Sequence, residues 1–377
     1  MFFTVLIILN ILSIIVLAYW LVVYIKEFKK LPKLAYEDVS SPIEISIIMP
    51  VRNEESRIEK SLSSVLKQNN VVSQIIIVDD SSIDRTRSIV EEYSKRYRNI
   101  ELIEADGRPL DSIGKSWPSY LGYTKAKHDY LLFLDADTVL LDEEILAKSV
   151  RTLEKLRLDY ISLFPSFELS TVWARLTYPL YINTVVLFER FSKINRDNSS
   201  KCFLIGAFSL FRKRVYEIVG GHMSVINEIV EDKVLGEKLR ALGFNFRLFN
   251  GSGIVKSSVE AGIKDVWYSV VRFISGLRNK SKVTIFLLFF YVIVFLIPLI
   301  SAFTMLGSFS ITWIPSILLS IVLNGLELSR NKQNLIYALG YPLAVLLLIS
   351  TLLYVLVSLL RGKIEFKWKD RRYIVKV

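Results

Sequence analysis

The sequence predicts an α/β protein in which a mainly parallel sheet is flanked by an N-terminal transmembrane anchor and a C-terminal α-helical membrane region. Three observations predict this class. Four short apolar strands alternate with amphipathic helices between residues 43 and 134, which is the pattern of a parallel sheet with helical crossovers. Long apolar stretches lie near both ends of the 377-residue chain. Hydrophobic residues make up 52% of it, and the mean hydropathy is +0.39.

The first apolar stretch predicts the anchor. Residues 2–25 carry no charged side chain, which is enough for a helix to cross a bilayer. A cleaved signal peptide would show a basic start, a shorter apolar core and a small-residue cleavage site. We therefore expect an uncleaved anchor at 1–25 and a linker at 26–42. Because Lys26, Lys29, Lys30 and Lys33 follow the anchor, the positive-inside rule predicts that the next segment is cytoplasmic.

The composition argues against several classes of protein. A single cysteine, Cys202, excludes an intrachain disulfide framework, and only two histidines, His128 and His222, argue against a zinc site. The net charge of +11 lies largely beside apolar spans, where basic residues meet anionic lipid headgroups. No basic motif with interleaved aromatic residues is present, so we expect no nucleic-acid partner.

The strands and helices follow in order along the chain. We predict strands at Ile43–Pro50, Gln74–Val78, Ile100–Glu104 and Tyr130–Leu134, and helices after Asn53, over Asp84–Tyr97 and from Gly114 to Lys127. Asn53 is a candidate cap for the first of these helices. The last strand is apolar throughout, as expected of a strand that is buried on both faces of a parallel sheet.

Polar residues stand where three of these strands end. They are Arg52 to Glu54, Asp79 with Asp80, and Asp135 with Asp137. The carboxyl ends of parallel strands meet at one edge of a sheet, so these residues can converge on one ligand. Two carboxylates at one strand end need a cation, and hard oxygen ligands suit Mg²⁺ or Mn²⁺, ions that often also bind a diphosphate. No dinucleotide-binding glycine pattern and no P-loop signature is present.

These motifs, in their order, resemble those of family 2 glycosyltransferases with a GT-A fold, which is Rossmann-like. The matching segments are Pro50–Glu55, Ile76–Thr86, Gly114–Ser116, Leu134–Asp137, Gly206–Phe208, Gly220–His222 and Glu231–Asp232. The resemblance covers roughly Glu44 to Lys280. Among relatives, the chain most resembles membrane-bound enzymes that glycosylate a lipid, such as carotenoid-acid (diaponeurosporenoate-type) and ceramide glucosyltransferases. Residues 368–373 are similar to a tail that those enzymes carry.

The resemblance implies how a nucleotide-sugar donor would be held. Pro50, Arg52, Glu54 and Asp79 would contact the nucleoside, Asp80 being a weaker candidate. Lys115 would neutralise phosphate. Asp137 would bind the divalent metal directly, and Asp135 would bind the ribose or support the metal. The cation would act as a Lewis acid on the leaving diphosphate.

The resemblance also implies the acceptor side of the reaction. Asp232, in a first helical turn followed by Val234, Leu235, Leu239 and Leu242 on its buried side, would take the proton of the attacking acceptor, and Glu231 would orient it. One base with a metal-held leaving group predicts inversion in a single displacement. Gly206, His222 and Arg272 would contact the acceptor or support the site. Ser81 stands where the family commonly has glycine.

One departure bears on the product. Processive synthases of this family carry a Gln-x-x-Arg-Trp motif, and here the aligned residues 269–273 keep only Arg272. This favours transfer of a single sugar to a membrane lipid. The alternatives are a processive polysaccharide synthase and a non-catalytic membrane scaffold or lipid-translocation protein with the same fold.

The predicted catalytic domain, residues 43–263, is followed by membrane-associated segments. Residues 264–282 are amphipathic and predict a helix in the headgroup layer. For residues 173–191, an interfacial helix and a buried helix are equally compatible with the sequence. Residues 283–360 predict a transmembrane region, with a hairpin around Gly307 and Ser308, and residues 361–377 a basic cytoplasmic tail. Three crossings in this region would put the tail outside, so either 335–360 enters and returns or one hairpin segment does not cross.

Overall fold

The computed structural model describes residues 2–34, 41–110, 112–277, 279–304 and 311–376. The chain forms two compact units. Residues 30–168 and 191–258 form a unit built on a sheet, and residues 1–29, 169–190 and 259–377 form a helical unit. The turn predicted at Gly307 and Ser308 lies outside the described residues.

In the described part of the chain, the sheet contains eight strands in the spatial order β3-β2-β1-β4-β7-β6-β8-β5. In chain order they are β1 (Ile43–Val51), β2 (Val71–Asp79), β3 (Ile100–Glu104), β4 (Tyr130–Phe133), β5 (Thr138–Leu140), β6 (Tyr160–Leu169), β7 (Ser209–Arg212) and β8 (Phe246–Val259). Strands β1 to β4 pair in parallel, whereas β7 is antiparallel to β4 and to β6, and β5 is antiparallel to β8. The predicted mainly parallel sheet is confirmed.

Helices connect the strands of this unit. They are α2 (Ile58–Leu66), α3 (Thr86–Arg96), α4 (Ser116–Thr124), α5 (Ile145–Lys155), α7 (Phe191–Ile194), α8 (Lys213–Ile218) and α9 (Glu231–Ala241). The central strands are buried because apolar residues face both layers, for example Ile47 and Ile48 in β1 and Leu131 and Leu132 in β4, all 0% exposed.

Two local predictions are wrong. Asn53 does not cap α2, which begins at Ile58. Instead Asn53 adopts a φ of 51°, and its side-chain oxygen accepts a hydrogen bond from the Ile83 N–H, so it ties two strand ends together. Leu242 is not on the buried side of α9, because that helix ends at Ala241 and Leu242 is 56% exposed.

The helical unit contains the other helices. They are α1 (Phe2–Lys30), α6 (Val172–Glu189), α10 (Ile263–Ser275), α11 (Lys280–Tyr291), α12 (Ile297–Thr304), α13 (Trp313–Arg330) and α14 (Tyr341–Leu360). A π-helical turn, Val292–Leu296, joins α11 to α12, and a 3-10 turn, Leu335–Gly340, precedes α14. A two-stranded hairpin, β9 (Lys363–Trp368) and β10 (Arg371–Lys376), follows α14. Among the residues that the structure describes, three stretches are long and apolar enough to cross a membrane: Phe2–Lys30, Lys280–Thr304 and Leu335–Leu360.

Candidate active site

One lysine joins carboxylates from two distant parts of the chain. The Lys115 ammonium lies 2.7 Å from Asp135 Oδ1, 3.2 Å from Asp232 Oδ2 and 4.0 Å from Glu231 Oε1. Burial opposes the charged form of the lysine, but the three carboxylates outweigh this effect and raise the Lys115 pKa well above its ordinary value. The predicted phosphate-binding lysine and the predicted base therefore lie in one cluster.

Local structure explains why these groups meet. Asp135 follows β4, and Glu231 and Asp232 form the first turn of α9. Lys115 follows Gly114, whose φ of 63° favours glycine, and directly precedes α4. The backbone N–H of Ile113 donates to the Ile226 carbonyl at 2.9 Å, which fixes the Lys115 loop beside the segment that leads into α9.

Gly206 lies directly against the charged groups of this cluster. Its carbonyl accepts a hydrogen bond from the Asp135 N–H at 3.1 Å. A Cβ atom at this position would lie 2.0 Å from Lys115 Nζ, 2.6 Å from Asp135 Oδ2 and 2.9 Å from Asp232 Oδ2. Only a residue without a side chain leaves the three charged groups where they are.

Asp137 lies in a more enclosed environment than the other acids of the turn. Its Oδ1 accepts hydrogen bonds from Ser257 at 3.2 Å and from Thr138 at 3.4 Å. Burial, together with the negative charges of Asp135 and Glu54, raises the Asp137 pKa to about 7. A half-buried carboxylate among other carboxylates is an arrangement that a cation would stabilise.

The turn after β1 is held by hydrogen bonds within the protein. Pro50 is paired with Val78 inside the sheet. Arg52 donates to the carbonyls of Asp80 and Ser81. The Glu54 carboxylate lies 2.5 Å from the Arg57 guanidinium and is largely buried. The predicted nucleoside contacts thus border the strand ends, as the motif order indicates.

The two acids after β2 are both engaged. Asp79 accepts hydrogen bonds from the N–H and hydroxyl of Ser82, so it stabilises the turn that follows. Asp80 Oδ2 lies 2.7 Å from the guanidinium of Arg108, which also donates to the Gly114 carbonyl at 2.7 Å. Asp80 is therefore linked through Arg108 to the residue that precedes Lys115.

The Gly220–Gly221–His222 motif packs against the end of β4. Gly221 has a φ of 52°, and a Cβ there would lie 2.3 Å from the Tyr216 ring. His222 Nδ1 and the Tyr216 hydroxyl are 2.8 Å apart, and the His222 ring lies 4.6 Å from the ring of Phe133, the last residue of β4. Burial, with the nearby charge of Lys115, lowers the His222 pKa to about 3, so the ring is neutral.

Arg272 belongs to the helical unit, in α10. Its guanidinium lies over the ring of Trp368 in β9, 5.7 Å from the ring centre. The surviving arginine of the processivity motif thus connects α10 to the C-terminal hairpin.

The sequence interpretation missed three residues. Arg57 pairs with Glu54, Arg108 pairs with Asp80, and Ser257 donates to Asp137. Arg108, a lone cation in a glycine- and proline-containing loop after β3, carried a detectable signal. Ser257 carried none, because the antiparallel pairing of β8 with β5 brings it to the site.

A known protein family matches the part of the chain that contains most of these residues. A sequence profile described as Glycosyl transferase family 2 matches residues 46–220. Residues 46–220 are therefore similar to a family 2 glycosyltransferase domain. The match contains all of the strand-end motifs and Gly206, and it ends shortly before Asp232. The resemblance inferred from the motifs is confirmed.

The sequence is also similar to that of named glycosyltransferases. The chain is 30% identical over 222 residues to a 4,4'-diaponeurosporenoate glycosyltransferase of Staphylococcus haemolyticus, covering 58% of each chain. It is 26% identical over 208 residues to the protein of the same name in Staphylococcus aureus, covering 55% of this chain and 54% of that one. The chain thus spans little more than half the length of these relatives.

Similarity of structure extends further along the chain. A mannosyltransferase from Pyrobaculum calidifontis, solved in complex with GDP-Man and Mn²⁺, matches 90% of this chain and 99% of its own. The TM-score is 0.53 and the sequence identity is 15%. At this identity the match shows a shared GT-A fold.

Proposed function

We propose that this protein is an inverting glycosyltransferase that moves a single sugar from a nucleotide-sugar donor, UDP-glucose-like, to a membrane lipid at the cytosolic face. The observation that carries the proposal is the cluster in which Lys115 contacts both Asp135 and Asp232. It places the Lys115 ammonium, which can neutralise the leaving diphosphate, 3.2 Å from the Asp232 carboxylate, which can accept a proton.

The chemistry assigns a task to each group. Asp232 removes the proton from the acceptor oxygen as that oxygen attacks the anomeric carbon, and the bond to the diphosphate breaks on the opposite face. Glu231, beside it in the first turn of α9, orients the acceptor. Lys115 stabilises the charge that develops on the departing diphosphate. A single displacement of this kind inverts the anomeric configuration.

The residues fit a divalent cation of the Mg²⁺ or Mn²⁺ type. Asp135 and Asp137 offer hard carboxylate oxygens from one turn, and Ser257 and Thr138 orient the Asp137 carboxylate. Within the described part of the chain, no three acidic, histidine or cysteine side chains form a complete metal site. Mg²⁺ commonly takes only one or two protein carboxylates and completes its shell with phosphate and water. When bound, the ion would supply Lewis-acid stabilisation of the diphosphate.

The acceptor class is supported by the relatives, which are named for a carotenoid acid. A long apolar acceptor of that kind resides in the bilayer. The membrane-type helices of this chain would keep the enzyme in the same phase as such an acceptor. We propose a lipid hydroxyl or carboxyl group as the nucleophile.

We propose a multi-pass location with the chain after α1 on the cytoplasmic side, because lysines stand at the end of α1. In α12, Ser301 Oγ accepts a hydrogen bond from the Asn10 amide, and Trp20 lies beside Phe290 in α11, so this helix runs antiparallel to α1. In α13, Glu327 accepts from the Tyr24 hydroxyl at 2.6 Å. The chain has therefore returned at Glu327 to the level at which α1 ends.

Contacts inside the helical unit favour the interpretation in which residues 335–360 enter and leave on that same side. Ala338 lies beside Gly325, less than one turn of α13 from Glu327. At the other end, Tyr354 contacts Trp267 of α10 with ring centres 5.7 Å apart.

The level of α10 follows from α6. Phe273 of α10 contacts Tyr181 of α6, and the Asn183 carbonyl of α6 accepts a hydrogen bond from the Trp20 indole at 2.9 Å. Because Trp20 lies near the basic end of α1, we propose that residues 361–377 share the cytoplasmic side with the chain after α1.

The decisive experiment uses the full-length protein in membranes, with radiolabelled UDP-glucose and GDP-mannose offered separately in the presence of Mn²⁺. We expect one donor to label a lipid of discrete mobility on thin-layer chromatography, and Asp232→Asn to abolish the label while donor binding persists. Label retained at the origin as polymer would indicate the processive alternative. No metal-dependent transfer or donor hydrolysis, with no effect of Asp137→Ala, would indicate the scaffold alternative.

A second experiment tests the location. With Cys202→Ser as background, a cysteine replacing Lys376 should react with a membrane-impermeant maleimide in inside-out vesicles and not in intact cells. The opposite pattern would refute a cytoplasmic tail.

A further inference from the structure

The C-terminal hairpin is a small two-sided sheet. Its inner face carries Ile364 and Phe366, both 0% exposed. The Glu365 carbonyl accepts a hydrogen bond from the Tyr354 hydroxyl of α14 at 3.0 Å, and Trp368 lies beneath Arg272 of α10. The inner face is thus fixed to the helical unit, and the alternation of the strands leaves the other face outward.

The outward face is strongly basic. Its residues are Lys363, Glu365, Lys367, Arg372, Ile374 and Lys376. The strand register puts Lys363 directly opposite Lys376, and Lys367 directly opposite Arg372. Like charges in directly opposed positions of an antiparallel pair destabilise it. Among these six described residues Glu365 is the one acid, and Arg372 already pairs with it.

Two further features indicate what kind of anion this face fits. Ile374 is 58% exposed at the centre of the cationic face, opposite Glu365. The hairpin is joined through Arg361 and Gly362 to the end of α14. This helix completes an apolar stretch of 26 residues, Leu335–Leu360. Because a six-residue strand is about 20 Å long and the two linking residues add at most about 10 Å, the whole face stays within about 30 Å of that helix end. Trp368 and Tyr373 are on the inner face, so this surface offers no aromatic ring for stacking with nucleic-acid bases.

We infer that the outward face of the β9–β10 hairpin binds anionic phospholipid headgroups, with Ile374 inserted between them. The four cations match several phosphates at once, and the apolar residue matches the boundary between headgroups and acyl chains. Headgroup phosphates offset the repulsion between the opposed cations, which a zwitterionic surface does less well. This inference does not depend on the proposed transferase reaction, because it concerns the docking of the tail alone.

The test follows the position of the hairpin in bilayers of defined composition. In the full-length protein with Cys202→Ser, Ile374→Cys carries a fluorophore, and the nanodiscs contain phosphatidylcholine with a nitroxide at headgroup level. We expect adding about 30% phosphatidylglycerol to raise quenching at least twofold, and 1 M NaCl to reverse the increase, because salt screens such contacts.

Matched variants separate charge from folding. Lys363→Gln with Lys367→Gln and Lys376→Gln keeps the Arg372–Glu365 pair and should lose the response to phosphatidylglycerol. The corresponding Lys→Arg triple variant should keep it. A control with the same loss of charge on the sheet unit, Lys60→Gln with Lys95→Gln and Arg98→Gln, should also keep it. The inference would be overturned if quenching did not change with phosphatidylglycerol, or if the increase persisted after the three Gln substitutions.

Discussion

The substitution Gly206→Ala tests the geometry of the candidate site with one methyl group. That methyl would lie 2.0 Å from Lys115 Nζ and 2.6 Å from Asp135 Oδ2. An ordinary contact needs roughly 3.4 Å, so the ammonium must withdraw by roughly 1 to 1.5 Å. The three atoms nearest to the methyl are all ends of side chains, so the backbone can stay in place.

We expect the fold to persist and the reaction to fail. A displacement of about 1 Å in a reacting constellation can cost about 10²-fold in rate, which corresponds to about 3 kcal/mol in the activation barrier. The assay compares kcat/KM for lipid glycosylation with the melting temperature in detergent. The melting temperature should stay within about 2 °C of the wild-type value, since Gly206 requires no left-handed backbone.

Two comparisons make the reasoning refutable. Gly325→Ala, where the new methyl meets Ala338 at the ordinary distance of 4.0 Å, should leave the activity unchanged. In a double-mutant cycle, Gly206→Ala should cost little more once Lys115→Gln is present, because both changes remove the same contact. Activity above half of the wild-type value in Gly206→Ala, or full additivity with Lys115→Gln, would show that the cluster does not control the reaction.

Other outcomes follow from the buried charges around the site. Arg108→Ala should lower the free energy of unfolding by about 3 kcal/mol, because it removes the cation that pairs with the buried Asp80 carboxylate, and Asp80→Asn in the same chain should restore most of the loss in chemical denaturation. His222 takes up a proton near pH 6.5 when unfolded but only near pH 3 when folded, so stability is complete above pH 6.5 and falls as the pH drops toward 3. Melting curves from pH 7 to pH 5 should show a steeper loss for wild type than for His222→Asn, by about 1.4 kcal/mol per pH unit below 6.5; parallel curves would contradict the buried neutral ring.

The sequence predicted the sheet because each of its parallel strands is a local apolar run with a polar end. It also predicted that Asp135 and Asp232 belong to one site, since the motif order of the family carries that information. The sequence did not predict the antiparallel strands of the sheet. Strands β7 and β5 have four and three residues, and long-range pairing, not local pattern, defines them.

The same limit explains the local errors. Asn53 has the residue type of a helix cap, but at a φ of 51° its side chain bridges to Ile83, and this contact depends on β1 and β2 lying side by side. Ser81 adopts a φ of 59°, the conformation that explains why glycine is common there in the family. The conformation of a turn residue depends on the strands that the turn joins as well as on the intrinsic preference of the residue type.

Like charges lie close together around Asp137, and this arrangement should reduce stability. Asp137 is half-buried beside the negative charges of Asp135 and Glu54, and the positive charge of Arg57 offsets them in part. Buried like charges destabilise a fold unless a ligand compensates them. Asp137→Asn should therefore raise the melting temperature by several degrees while abolishing transfer, and Mn²⁺ with UDP should stabilise the wild type but not this variant. A melting temperature that falls in Asp137→Asn would mean that the carboxylate supports the fold and is not held there for a cation.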